Sequence, residues 1–256
     1  MSRTPFSDVD GSRVGWHDGG VTAPGLRERN RRDLTAALVE AGRGQLAEAG
    51  AAALSLRAVA REVGMVPSAV YRYFPSRDHL LTALLVEGYT GLADALEAAE
   101  AGVRRSDVAG RWRALCHAAR DWAAGHPHEW SLLYGSPVPG YGAPQDTVVQ
   151  AERIASTFGR VFLDLGPGER PPTGPRRLTP QLREDLATLR TLPPFVPTDG
   201  AAPLPDLVLV RGLGAWVQVF GLISFERFGQ LVGVVTDLDA FYAAQVEILW
   251  RTLAGT

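Results

Sequence analysis

The stretch SLRAVAREVGMVPSAVYRYFPSRDHLLTALL, residues 55–85, leaves few folds open. Leu56, Val59, Ala60 and Val63 recur at helical spacing, so residues 55–63 read as a short amphipathic helix. Ser55 stands at the N-cap position, where a hydroxyl can accept from a first-turn N–H. Gly64 supplies a residue free to take positive φ and end the helix. Pro67 opens a second helix at its first turn, where a missing N–H costs nothing. That helix is expected to run to about Phe74, with Pro75-Ser76 breaking it and capping a third. Two short helices joined by a tight Gly-containing turn make a helix-turn-helix. The second helix presents Ser68, Ala69, Tyr71, Arg72 and Tyr73 between the apolar anchors Val70 and Phe74. Small, aromatic and cationic groups on one face suit a groove of base edges and phosphates.

Charge supports a division of labour. Net charge is −2 over 256 residues, so the chain as a whole is not basic. From Arg27 to Leu80, however, nine arginines face six carboxylates, and beyond Leu80 fifteen arginines face nineteen. A mildly basic module on an acidic body fits a nucleic-acid reader joined to something else. All 26 basic residues are Arg, which excludes chemistry that needs a Schiff-base, P-loop or carrier lysine. A lone cysteine, Cys116, excludes an intramolecular disulfide framework and fits a reducing compartment. The N-terminal residues hold no apolar run of signal-peptide type, and the most apolar segment, 207–223, is interrupted by Arg211 and Gln218. A cytoplasmic protein without a membrane span is expected.

Taken in order, residues 1–26 are rich in Gly, Ser, Asp and Pro and read as a flexible arm, residues 27–85 as the reader, and residues 86–256 as a helical body. The first helix is expected from Arg27 to Ala49, with Arg27, Arg29, Arg31 and Arg32 crowding its start. The helix dipole disfavours cations there unless an anion lies near; DNA phosphate and bulk solvent are both open as the neutralising surroundings. Helical periodicity continues through residues 76–99, 107–124, 126–134, 145–165, 181–190, 206–228 and 238–253. Pro- and Gly-dense loops separate them, notably 135–144, 166–179 and 193–205. Without credible strand pairing or an internal repeat, the fold class is all-α.

Together with the preceding helix, SLRAVAREVGM and AVYRYFPSRDHLL resemble the DNA-binding domain of the tetracycline-repressor (TetR) family, over about residues 31–85. By that resemblance Arg57 reaches a base edge, where Arg bonds guanine bidentately. Tyr71 and Arg77 match phosphate clamps, while Pro67, Ser68, Ala69, Arg72 and Tyr73 match the groove-facing surface. Val66 departs from the polar N-cap common in the family. The segments HPHEWSLLYGSPVPGY and WVQVFGLISFERFG resemble the C-terminal domain of the WHG-type TetR subfamily. Phe220-Gly221 stands where His-Gly is expected there, so no histidine role carries over.

The resemblance implies a homodimer that binds a double-stranded, pseudo-palindromic operator and is released by a small-molecule effector, most simply a repressor. It also implies an effector cavity lined by body aromatics, for which Trp112, Cys116, Trp130, Tyr134, Phe158, Trp216 and Phe220 are the candidates. Such a set is also what an ordinary core contains. Helices 206–228 and 238–253, with Leu207, Leu209, Leu213, Val217, Phe241, Val246 and Leu249, hold more apolar surface than one small body buries, and are expected to form the dimer contact.

No cofactor or metal is expected. Cys116 and His117 are adjacent, and His126 and His128 flank Pro127 at a helix start, so these residues do not share one helix face. No Gly-x-Ser-x-Gly elbow exists, Ser136 has no evident base, and Gly212-Leu-Gly214 lacks a third glycine. Two other readings stay open at this point: a helical binding protein or enzyme whose helix-turn-helix is only structural, and a DNA-binding architectural protein without a ligand.

Overall fold

Helical periodicity becomes helix after helix. The computed structural model describes residues 25–165, 177–196 and 203–255. Its elements are α1 (Leu26–Ala49), a 3-10 helix (Ala51–Ala53), α2 (Leu56–Glu62), α3 (Pro67–Val70), α4 (Arg77–Ala101), α5 (Val108–Gly125), α6 (Pro127–Tyr134), α7 (Gln145–Asp164), α8 (Pro180–Leu189), α9 (Asp206–Arg227) and α10 (Leu238–Ala254). Among the described residues there is no strand, and the class is all-α. Apart from Gly25 and Leu26, the expected N-terminal arm lies outside the described residues, as do 166–176 and 197–202 of the Pro-rich loops.

Two apolar cores share one helix. The reader core gathers Leu38 of α1, Val59 and Ala60 of α2, Val70 of α3 and Leu80, Leu81 and Leu84 of α4. The body core takes Leu92, Ala93 and Leu96 from the same α4 and packs them with α5, α6, α7, α9 and α10. The division expected between residues 85 and 86 therefore falls inside an unbroken helix. Ser76 caps that helix, its hydroxyl accepting from His79 N–H at 3.4 Å. In the body, Gly212 lets α9 approach α7 closely: a Cβ there would lie 2.7 Å from the Phe162 ring. Arg111, 2% exposed, is held between Glu100 of α4 and Asp164 of α7. Such a buried cation is tolerable because both partners are charged and hydrogen-bonded to it.

Three local expectations change. The Ser55 hydroxyl makes no capping bond. Gln45 of α1 holds the Ser55 backbone instead, its Oε1 accepting from Ser55 N–H at 2.9 Å while its Nε2 donates to Ser55 C=O at 3.4 Å. Next, α3 ends at Val70, and the chain continues in tighter turns, with Arg72 N–H bonded to Ala69 C=O and Tyr73 N–H to Val70 C=O. Pro75 disfavours α conformation at Phe74, which stops the chain from resuming a helix beyond these turns. Finally, Leu209, Val246 and Leu249 are buried within the protomer's own core and do not form an outward contact.

Because Gln45 holds the Ser55 backbone while the Ser55 hydroxyl makes no capping bond, Gln45→Ala should destabilise the fold by about 1 kcal/mol, the usual worth of one such hydrogen bond. Ser55→Ala should cost less than about 0.5 kcal/mol, below the usual N-cap penalty. Urea unfolding of the two variants checks the order, which a hydroxyl cap would reverse.

Candidate nucleic-acid interface

The reader's outer face is built on two anchors. Val70 (0% exposed) and Phe74 (6%) sink into the reader core, which turns the intervening residues outward. Pro67, Ser68, Tyr71 and Arg72 are exposed, and Ala69 and Tyr73 are partly so. Gly64, at φ +71°, makes the turn between α2 and α3, and α3 starts with Pro67 in its first turn. Val66 is 65% exposed and gives no side-chain cap; Pro67 has no N–H to satisfy, and Ala69 N–H is bonded to Val66 C=O at 2.9 Å. Arg57 lies exposed on α2.

Arg27, Arg31, Arg57 and Arg72 make no ion pair among the described residues. In the body, by contrast, Arg111, Arg113, Arg120, Arg153, Arg160 and Arg190 are each tied to carboxylates. The folded chain also brings together groups far apart in sequence. Arg27, Asn30 and Arg31 of α1 line a cleft of about 290 Å³ with Arg72 and Tyr73 of the turn after α3. The cationic crowd at the start of α1 thus stands beside the exposed residues that follow α3. The only sequence signal for this was the poor match of four arginines to a helix N-terminus.

Arg77 has a second role. Its Nη2 donates to Ala51 C=O at 2.8 Å and Ala52 C=O at 3.3 Å, and its Nη1 lies 3.5 Å from Asp78. The side chain therefore ties the start of α4 to the 3-10 helix between α1 and α2. Sequence reasoning had no means to place that tie, because the 3-10 helix itself carries only alanines.

Six of the seven body candidates form one ring network. Phe220 touches Trp130 (5.4 Å), Tyr134 (5.0 Å), Phe158 (5.9 Å) and Trp216 (5.5 Å), and Trp112 meets Phe158 at 6.0 Å. Most of this is core. Trp112 and Trp130 are 0% exposed and Phe158 1%, with both indole N–H groups satisfied, by Val246 C=O and Ser224 Oγ. Cys116 stands apart from the rings. It is buried, burial pushes its thiol pKa well up, and its carbonyl accepts from Tyr242 Oη at 2.7 Å. Only Tyr134 and Trp216 are partly exposed. Trp216 Nε1 is buried without a hydrogen-bond partner, a costly state that a bound acceptor would relieve.

Comparison with known proteins agrees with this architecture. The profile of bacterial regulatory proteins of the tetR family matches residues 38–84, and that of the tetracyclin repressor-like C-terminal domain matches residues 112–249. An HTH-type transcriptional regulator of Mycobacterium tuberculosis (strain ATCC 25618 / H37Rv) is 42% identical over 238 residues, covering 90% of this chain and 96% of its own. The HTH-type transcriptional repressor KstR of Rhodococcus jostii is 34% identical over 88 residues, 34% of this chain and 38% of its own. The crystal structure of the regulatory protein SCO4313 superposes with a TM-score of 0.69 at 34% identity, covering 88% of this chain and 98% of that one. A helix-turn-helix reader with an outward cationic face, set on an all-α body and matched along nearly its whole length by such a regulator, places the chain in the TetR family of bacterial transcriptional regulators.

Proposed function

We propose that the protein is a homodimeric repressor that acts in the cytoplasm, binds a pseudo-palindromic DNA operator and releases it when a small molecule binds the body. The observation that carries this reading is the set of unpaired arginines around the exposed α3 face. In it Arg57 reads a base edge, and Ser68, Ala69, Arg72 and Tyr73 face the major groove with Pro67 at the helix start. Tyr71 meets phosphate, as does Arg77 with the part of its guanidinium that Ala51 and Ala52 leave free.

The dimer contact belongs to the outer stripe of α9 and α10. Val210, Gly214, Val217, Gly221, Phe225 and Phe228 recur every three or four residues, and Val217 (63%), Phe225 (55%) and Ile248 of α10 (53%) are exposed. Nothing lies within 4 Å of a Cβ built at Gly214 or Gly221, so a partner helix can approach the backbone there. At 22 residues and a mean hydropathy of 1.7, α9 is long and apolar enough to cross a membrane, and only 33% of that window is buried inside the protomer. Pairing with a second α9 and α10 gives this surface an apolar neighbour and an isologous four-helix contact. The effector is placed against Tyr134 and Trp216, at the accessible edge of the ring network. The free Trp216 N–H argues for an apolar or aromatic molecule carrying a hydrogen-bond acceptor. Trp112, Cys116, Trp130, Phe158 and Phe220 shape that site from behind, as core.

A gel-shift titration with DNA flanking the protein's own gene tests the reading. Arg57→Ala should lower operator affinity by about 1–3 kcal/mol and relax preference at one position. Arg77→Ala should weaken operator and scrambled DNA alike and reduce the salt slope by about one unit. Because two carbonyls lose their donor, it should also lower the melting temperature, which Arg57→Ala should leave unchanged. Equal binding by wild type and both variants would contradict the assignment.

For the dimer, Val217→Arg places a charge on the outer stripe without touching the core. Sedimentation should find wild-type dimers and Val217→Arg monomers with an unchanged helical spectrum. A wild-type chain sedimenting as a monomer at micromolar concentration would defeat the contact. Val246→Arg is no test of it, since Val246 is 1% exposed within the protomer.

A further inference from the structure

Reader and body meet along α4, and also at a seam where α1 lies against α6. Leu132 and Leu133 of α6 pack against the reader core there, and one guanidinium makes the charged link across the seam. Arg43 of α1 places Nε 3.0 Å from Glu129 Oε1 on α6 and Nη2 2.8 Å from Glu87 Oε2 on α4, while Nη1 contacts Glu40 one turn back on its own helix. The three carboxylates differ in setting. The side chains of Glu40 and Glu87 are 69% and 45% exposed, whereas that of Glu129 is 11% exposed, and Glu129 alone belongs to the body helix α6. Among the described residues no other cation pairs with Glu129.

Exposed ion pairs add little stability, so the importance of this one is geometric. Past Arg43 the seam is not packed shut. A cleft of about 600 Å³, bordered by Ala47, Gly50 and Ala51 on the reader side and His128, Ser131 and Val138 on the body side, opens between the two. At its other end α1 carries Arg27 and Arg31 beside Arg72 and Tyr73. Sixteen residues at 1.5 Å each separate Arg27 from Arg43 by about 24 Å, so a tilt of about 5° at Arg43 moves the cationic end by about 2 Å. The segment after α6 has its own fastening, Tyr141 Oη to Thr82 Oγ1 of α4 at 2.8 Å. Losing the Arg43–Glu129 pair would thus remove the charged tie between α1 and α6, leaving Leu132 and Leu133 of α6 packed against the reader core and the body still fastened to α4.

We propose that Arg43 is the joint between body and reader, a positioning residue whose pair with Glu129 sets the angle of α1 and with it the cationic flank of the DNA-reading face. This rests on the proposed regulatory function and adds the route by which a movement of α6 reaches DNA.

The test compares the full-length wild type with Glu129→Gln, Glu40→Gln and Arg43→Met. Glu40→Gln removes a carboxylate from the same guanidinium without touching the seam, and so controls for a local role. Hydrogen exchange should quicken about 5-fold or more at residues 43–50 and 127–134 in Glu129→Gln and Arg43→Met, and not in Glu40→Gln. Affinity for the operator duplex should change about 5-fold or more, the lower end of usual coupling, in the same two variants, with no further change when they are combined. Equal behaviour of Glu129→Gln and Glu40→Gln in exchange would overturn the proposal. So would faster exchange with unchanged operator affinity, which would leave the pair merely structural. A wild type that binds no duplex defeats the regulatory reading by itself, and the exchange comparison then decides whether Arg43 joins α1 to α6 at all.

Discussion

The burial of one helix in two cores is the constraint on which the molecule depends. Through Leu80, Leu81 and Leu84, α4 completes the reader; through Leu92, Ala93 and Leu96, about two to four turns further on, it completes the body. Truncating any of these leucines to alanine would cost about 2–5 kcal/mol, a large part of a domain's net stability. Neither core can dispense with α4, so the reader cannot swing freely on a linker. Any change in its position must come from a shift of α4 within the body or from movement of α1 to α3 around it. That makes the small contacts at the junction, Arg43 to Glu129, Tyr141 to Thr82 and Arg77 to the Ala51 and Ala52 carbonyls, the natural places to control the reader.

Arginine serves two ends in this chain, and the fold separates them. In the body it staples helices. Arg113 forks onto Glu247 and Arg120 onto Glu226, fastening α5 to α10 and α9, while Arg153 and Arg160 hold α7 along α4. A planar guanidinium suits such bidentate pairing better than an ammonium group does. On the reader's outer face Arg27, Arg31, Arg57 and Arg72 are left without carboxylates among the described residues, which is the state in which a guanidinium can exchange counterions for phosphate. The modest net charge of the whole chain conceals this partition, because the acids are concentrated where the arginines are already paired.

The helices were legible in the sequence because their ends are marked by residues with local effects, such as Gly64, Pro67, Ser76 and Pro127. The exposed face of α3 was legible for the same reason: Val70 and Phe74 fix which side faces inward. Contacts between elements were not. Gln45 holds the Ser55 backbone from ten residues away, across a 3-10 helix that alanines do not announce. In α9 and α10 apolar residues surround the helix, and a helix of that kind does not declare which side is core. Hence Val217 points outward and Val246 inward, though both looked alike in the sequence. The aromatic stripe posed the same ambiguity. Its deepest members became core, and of the candidates only Tyr134 and Trp216 keep partial exposure.

Central to this account is a two-fold pair of readers, each presenting the α3 face to one major groove. Binding selection from a random pool of DNA duplexes, using the wild-type protein, tests it most directly. The account predicts enrichment of a two-fold-symmetric sequence whose half-sites lie about one helical turn, or a whole multiple of it, apart. Failure to enrich any sequence, or enrichment of a single site without a symmetric mate, would contradict it.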